Sequence, residues 1–142
     1  MNIAVCVKQV VTRDWPLRAN ETAEWVKDQD ASFEMNEPDA YALEEALRLK
    51  EQHGGEVVVC VAGPSRVSQV IREALARGAD RAIHVQHDEL AFADANVVAS
   101  SLAHSMASEQ FDLVLTGLQS DDQGFGQVPH TCLLYTSPSP RD

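Results

Sequence analysis

The chain has 142 residues, of which 44% are hydrophobic and 23% charged. These are ordinary values for one globular domain, long enough to bury about 68–70% of its unfolded surface. Eleven basic residues face 22 acidic ones, for a net charge of −11, and a field of that sign repels nucleic-acid backbones and anionic membrane surfaces. A small phosphate ligand stays open, because backbone N–H groups bind one locally without net positive charge.

Ile3 to Val11, IAVCVKQVV, reads as a first strand of mostly β-branched residues. Thr12 to Met35 is polar, with Trp15-Pro16, Asn20 and a weak alternation around Trp25-Val26. It reads as a long connection containing a small hairpin, and a connection of that length is functional or covered by a partner. Pro38 suits the first turn of a helix, where its missing N–H costs nothing. Ala42, Leu43, Ala46, Leu47 and Leu49 give that helix an apolar side, and Gly54-Gly55 end it. Glu56 to Ala62 is a second strand. Gly63-Pro64-Ser65 then turns into a helix whose Val67, Val70, Ile71, Ala74 and Leu75 keep the i, i+3, i+4, i+7, i+8 spacing. Arg81 to Val85 is a third strand, and Asp94 caps a third helix with Ala95, Val98, Ala99, Leu102 and Met106 on one face. Phe111 to Thr116 is the fourth strand. Strands alternating with helices of this length predict an α/β fold, an open parallel sheet with right-handed crossovers and helices on both faces.

The last strand runs into LQSDDQGFGQ, with Gly117 between. Ligands of parallel sheets sit at the carboxyl ends of the strands, so this loop is the first place to look for a site. A dinucleotide fingerprint fails here: Pro129 stands where the third glycine would be, and the loop follows a late strand. No GxxxxGK[ST] exists. On chemistry alone an anion-binding loop and a plain turn are equally supported. Asp121 and Asp122 suggest an acid/base pair or a metal site, but adjacent loop carboxylates are more often only solvated. His84, His87 and Asp88 form an HxxHD grouping whose two histidines point to opposite faces of a continuous strand. Ser65 is not in a GxSxG elbow and reads as a helix start. Cys6, the Asn36-Glu37-Pro38-Asp39 segment, Ala62-Gly63 and the Gln119–Gln127 loop all fall at strand or helix ends. In a parallel sheet such ends gather on one edge, where small residues and helix starts suit a nucleotide.

Cys6 and Cys60 lie in apolar strand patterns as small hydrophobes, with no CxxC pair anywhere. Together with the lack of a signal, transit or apolar spanning segment, this reads as a cytoplasmic protein without membrane insertion. The terminal HTCLLYTSPSPRD has two Ser/Thr-Pro steps that break helices. It resembles a translated adapter run appended to a truncated frame; a native disordered terminus is the other reading. Residues 1–129 are therefore taken as the native nucleotide-binding domain, and 130–142 as an artefactual or disordered tail.

The opening IAVCVKQV, MNEPDAYALEEALRLKE at Met35 to Glu51, AGP at Ala62 to Pro64, REALARGADRAIHV at Arg72 to Val85 and LVLTGLQSDDQGFGQ, in this order and at these spacings, resemble the beta subunit of electron-transfer flavoproteins. The resemblance implies an adenine-nucleotide-binding, Rossmann-like sandwich that pairs with an alpha subunit. It implies one FAD held mostly by alpha and covered by beta, with AMP bound by beta as a structural ligand. The assembly would be an electron carrier and not an enzyme, taking electrons from flavin dehydrogenases such as acyl-CoA dehydrogenase and passing them to a quinone oxidoreductase or another acceptor. Implied AMP contacts are Cys6 and Ala62 through backbone, then Asn36, Glu37, Pro38 and Asp39, and the loop Gln119, Ser120, Asp121, Asp122, Gln123, Gly124, Phe125, Gly126 and Gln127; no catalytic residue and no metal ligand is implied. The chain departs from the family where Asn36-Glu37-Pro38 replaces Asn-Pro-Phe and Gly126-Gln127-Val128-Pro129 replaces Asn-Gln-Thr-Gly. It would cover roughly the first half of a beta subunit, without the segment that docks on dehydrogenases. The Thr12–Met35 excursion, with Trp15 and Trp25, is the expected alpha-subunit contact. The rival from another class is a stand-alone adenine-nucleotide-binding regulator of the universal-stress-protein kind, and a third is a metal-dependent hydrolase built on His84, His87 and Asp88.

Overall fold

The computed structural model describes residues 1–27 and 29–136. Four parallel strands, β1 (Asn2–Cys6), β4 (Glu56–Gly63), β5 (Arg81–Gln86) and β6 (Leu113–Thr116), form one sheet in the order β5-β4-β1-β6. A separate two-stranded antiparallel ribbon pairs β2 (Gln9–Val11) with β3 (Phe33–Met35). Helices α1 (Glu37–His53), α2 (Ser68–Arg77), α3 (Ala95–Met106) and α4 (Val128–Thr136) complete the fold. The expected α/β sandwich is what forms, because the central strands are apolar on both faces. Ile3, Val5, Val57, Val59 and Val61 meet Leu43 and Ala46 of α1 and Val70 and Ala74 of α2 on one side. Ala4, Cys6, Val58 and Cys60 meet Ala99, Leu102, Ala103 and Met106 of α3 and Cys132 of α4 on the other.

Local signals place most boundaries. Pro38 stands in the first turn of α1, and Gly54 follows its end with φ +70°. Asp94 caps α3 by accepting from the Val97 amide at 2.9 Å. α2 is entered through a 3-10 turn at Ser65–Val67. At the outer edge, Arg81 forks onto Glu56 and Glu109 at 2.6–3.3 Å, joining the starts of β4 and β5 to the turn after α3. No helix among the described residues is long and apolar enough to cross a membrane.

Two expectations are corrected. The apolar run Ile3–Val11 is not one strand. Val7 donates to the Cys60 carbonyl at 3.0 Å, still on the sheet, but the Lys8 amide turns to the Asp39 carboxylate at 2.8 Å and the Lys8 carbonyl accepts from Asn36 at 2.9 Å. The ladder to β4 is thereby abandoned, and β2 leaves to pair with β3. The excursion between them holds one further bridge, Ala19 with Val26, so a hairpin is present as expected. The second correction concerns the run after the glycine loop. Helix continues over Val128–Thr136, with Pro129 in its first turn, where proline is tolerated, and Cys132 buried against α3. Residues 130–136 of the run set aside above are thus helical, and 137–142 lie outside the described residues.

Leu43 is fully buried between α1 and the sheet. Leu43→Ala is expected to cost about 2–5 kcal/mol, read as a lower urea midpoint with unchanged slope.

Candidate functional site

In the order β5-β4-β1-β6 the chain moves outward from β1 to β4 and β5, then returns to the other side of β1 for β6. The strand order therefore reverses between β1 and β6, and a crevice opens beyond their carboxyl ends. A cleft of about 490 Å³ lies there, a volume suited to a small molecule. Its floor is the end of β1 at Cys6 to Lys8, the end of β4 at Ala62 and Gly63, and Thr116 and Gly117. The excursion closes one side through Trp15, Trp25 and Phe33, and the loop from Leu118 onward closes the other.

The start of α1 organises this edge. Asn36 is 1% exposed, and its side chain does not cap the helix. Its Nδ2 donates to the Gln119 carbonyl at 2.9 Å and its Oδ1 accepts from the Asp121 amide at 2.8 Å, so both ends of one amide pin the loop. Asp39, also buried, accepts from the Lys8 amide at 2.8 Å and from the Gly117 amide at 3.1 Å, one on each oxygen. Gly117 must be glycine: a Cβ would collide with Asp39 Oδ1 and lie 2.8 Å from both the Asp39 nitrogen and the Pro38 carbonyl carbon. Burial pushes the Asp39 carboxyl up to about 6, although the amides of Lys8 and Gly117 favour its charged form.

The loop is further tied by charge. Lys8 Nζ donates to Asp122 at 2.7 Å and to Gln123 at 3.1 Å. Arg13 reaches Glu37 at 2.7 Å and Asp121 at 3.5 Å. Burial opposes ionisation of Asp122, but the Lys8 ammonium beside it holds the carboxyl below the ordinary range. Gly124 and Gly126 adopt φ +66° and +63°, the left-handed conformation that glycine takes without strain. Alternation of such residues with right-handed ones builds the N–H concavities that hold anions. Gly126 leads directly into α4, which starts at Val128.

Of the residues expected at a site, Cys6, Asn36, Asp39, Ala62, Gln119 to Gln123, Phe125, Gly126 and Gln127 all line this one cleft. Glu37, Pro38 and Gly124 do not. Glu37 turns outward to Arg13, Pro38 packs its carbonyl carbon against Gly117, and Gly124 donates its amide back to Ser120 Oγ at 3.2 Å. The cysteines are buried as small apolar groups: burial raises the Cys6 thiol well above its usual range and that of Cys60 to about 12, so both stay protonated. Sequence reading missed Lys8 and Arg13, as well as the closing role of Gly117. A lysine inside the apolar run of strand one was the available signal. It also missed Gln9, which is 6% exposed; its amide donates to the Arg66 carbonyl and to Gln69 and accepts from the Arg66 guanidinium. Arg66 in turn lies 4.2 Å over the Phe33 ring, which seats the ribbon on the cleft wall. His84 Nε2 lies 3.1 Å from the Gly63 carbonyl, and His87 Nδ1 accepts from the Glu89 amide. Among the described residues no three His, Cys, Asp or Glu side chains gather as a metal site.

Residues 24–130 match the family described as Electron transfer flavoprotein domain. The electron transfer flavoprotein subunit beta of Methylophilus methylotrophus is 38% identical over 137 residues, covering 95% of this chain and 52% of its own length. That of Bacillus subtilis (strain 168) is 35% identical over 129 residues, covering 90% and 49%. A protein FixA of Sinorhizobium fredii is 36% identical over 135 residues, covering 90% and 46%. The chain spans about half the length of the curated relatives it matches.

Two tests address the brace at the start of α1. Asn36→Ala leaves the Gln119 carbonyl and the Asp121 amide unpaired; a loss of about 1–3 kcal/mol is expected, with faster hydrogen exchange at the Asp121 amide. The folded carboxyl of Asp39 titrates near 6, above its reference value of 3.8. The folded chain thus takes up this proton first, and the resulting stabilisation is complete below 3.8 and lost as pH rises through 6. NMR titration of the Asp39 carboxyl should show a midpoint near 6 rather than near 4, and Asp39→Asn should remove this contribution to the pH dependence of unfolding.

Proposed function

The chain belongs to the electron transfer flavoprotein family, and from that membership we propose that it is the N-terminal part of a beta subunit, with AMP as the ligand of its cleft. The observation that carries this reading is the pinned Gln119–Gln127 loop beside the β1–β6 crevice. The residues fit the ligand: Ala62 and Gly63 leave room on the floor, and Gly126, which lines the cleft just ahead of α4, has the left-handed backbone found in anion-holding turns. Cys6 and Ala62 would contact AMP through backbone, Asn36 would hold the loop in place, and Gln119 to Gln127 would receive the phosphate.

On this reading the subunit pairs with an alpha subunit that holds most of one FAD, which supplies the redox chemistry when bound. The heterodimer carries electrons from flavin dehydrogenases, such as those acting on acyl-CoA, to a quinone oxidoreductase, and has no substrate chemistry of its own. Residues 1–129 are read as the family's part; the family match spans residues 24–130. The excursion is the alpha-facing surface, with Leu17 72% exposed and the Trp25 ring set edge-on at 5.1 Å against Phe92, an exposed residue from the connection after β5. Family membership takes the place of the stand-alone stress-regulator reading.

Co-expression of the extended reading frame with an alpha-subunit partner is expected to yield a yellow heterodimer that releases AMP on acid precipitation. Colourless protein that never pairs would sink the carrier reading, and a yellow heterodimer without AMP would remove the ligand. Alanine at Trp15 and Trp25 should weaken assembly; unchanged pairing would show that the excursion faces elsewhere.

A further inference from the structure

The loop that faces the cleft has a feature at odds with anion binding. Two adjacent carboxylates, Asp121 and Asp122, both line the cleft together with Phe125 and Gly126. At a partly enclosed mouth their repulsion of a phosphate is weakly screened. Each carries a cation from the β1 side: Lys8 reaches Asp122 at 2.7 Å, and Arg13 reaches Asp121 at 3.5 Å.

The Lys8–Asp122 pair adds little to the stability of the loop. Its partners are 38% and 37% exposed, and ion pairs with that access to water contribute little stability. The two Asn36 hydrogen bonds and the Asp39–Gly117 bond already fix the loop at both ends of its first half. What the pair changes is the charge seen from the cleft.

Building on the AMP reading, we propose that Lys8 is a charge shield and positioning residue for the phosphate subsite. By neutralising Asp122 it lets this acidic chain prefer a nucleoside monophosphate over the bare nucleoside. Arg13 acts in the same way on Asp121, more weakly, because its contact is longer and its side chain is 67% exposed.

The test is calorimetric titration of the full chain with AMP and with adenosine. Lys8→Met is expected to weaken AMP about tenfold at low salt, to leave adenosine within about twofold, and to lose most of its effect at high salt. Adding Asp122→Asn to Lys8→Met should restore AMP affinity, since no carboxylate then needs shielding. Equal losses for AMP and adenosine, or no restoration by the second substitution, overturn the proposal. If Lys8→Met does not fold, Asp122→Asn alone decides: tighter AMP with unchanged adenosine supports the shield, and weaker AMP overturns it. A wild-type chain that binds neither compound fails the AMP reading itself. Wild-type binding combined with an indifferent Lys8→Met fails only the shield.

Discussion

The carboxylate of Asp39 accepts from the Lys8 amide, where β1 leaves the sheet, and from the Gly117 amide, where β6 leaves it. Three segments far apart in sequence therefore meet at one buried acid, at the point where the strand order reverses. Both amides would otherwise be orphaned donors at a sheet end, and an unpaired buried donor costs about 1–3 kcal/mol. Because Asp39 satisfies both, the chain can leave β1 just past Cys6, send β2 into a separate ribbon and still keep its backbone paired. The crevice is open at this point because the strands part here, and it has a defined shape because the same acid holds them. Gly117 is the steric counterpart: any Cβ there would meet Asp39 itself.

The layered fold was legible because its signals are local. Apolar strands, the 3.6-residue pattern of α2, Pro38 at a helix start and Asp94 at a cap each act over a few residues, and each formed where expected. The first strand was read too long because Val10 and Val11 are as β-prone as Val5. Nothing in IAVCVKQVV tells that the Lys8 amide will find Asp39, 31 residues away, rather than a neighbouring strand. The helix over Val128–Thr136 was not read because the terminal run was judged by its Ser-Pro steps, which lie beyond that helix at residues 137–140; Pro129 stands in the first turn, where proline is tolerated, and Cys132 packs on α3.

The site was legible in position more than in mechanism. Cys6, Asn36, Asp39, Ala62 and the Gln119–Gln127 loop could be assembled on one edge because all fall at strand or helix ends of a parallel sheet, and most of them line one cleft. The partners of Asn36 could not be read, since a helix-start asparagine ordinarily caps its own helix. Here it uses both ends of its amide on a loop more than 80 residues away. Lys8 and Arg13 were invisible for a related reason: an isolated cation acquires a role only from the carboxylate it meets.

These contacts share one consequence. Asn36, Asp39, Lys8 and Arg13 all reach the loop from the β1–α1 side, so it is anchored to the sheet by the fold itself. Ordering a loop at the moment of binding weakens affinity by the entropy it removes. A loop already held meets its ligand without that loss, provided its own charges do not oppose the ligand. The Asn36 and Asp39 bonds answer the first requirement and the Lys8 and Arg13 pairs the second. Net charge therefore says little about this cleft: the chain carries −11 overall, while both loop carboxylates at the mouth are matched by cations from the β1 side.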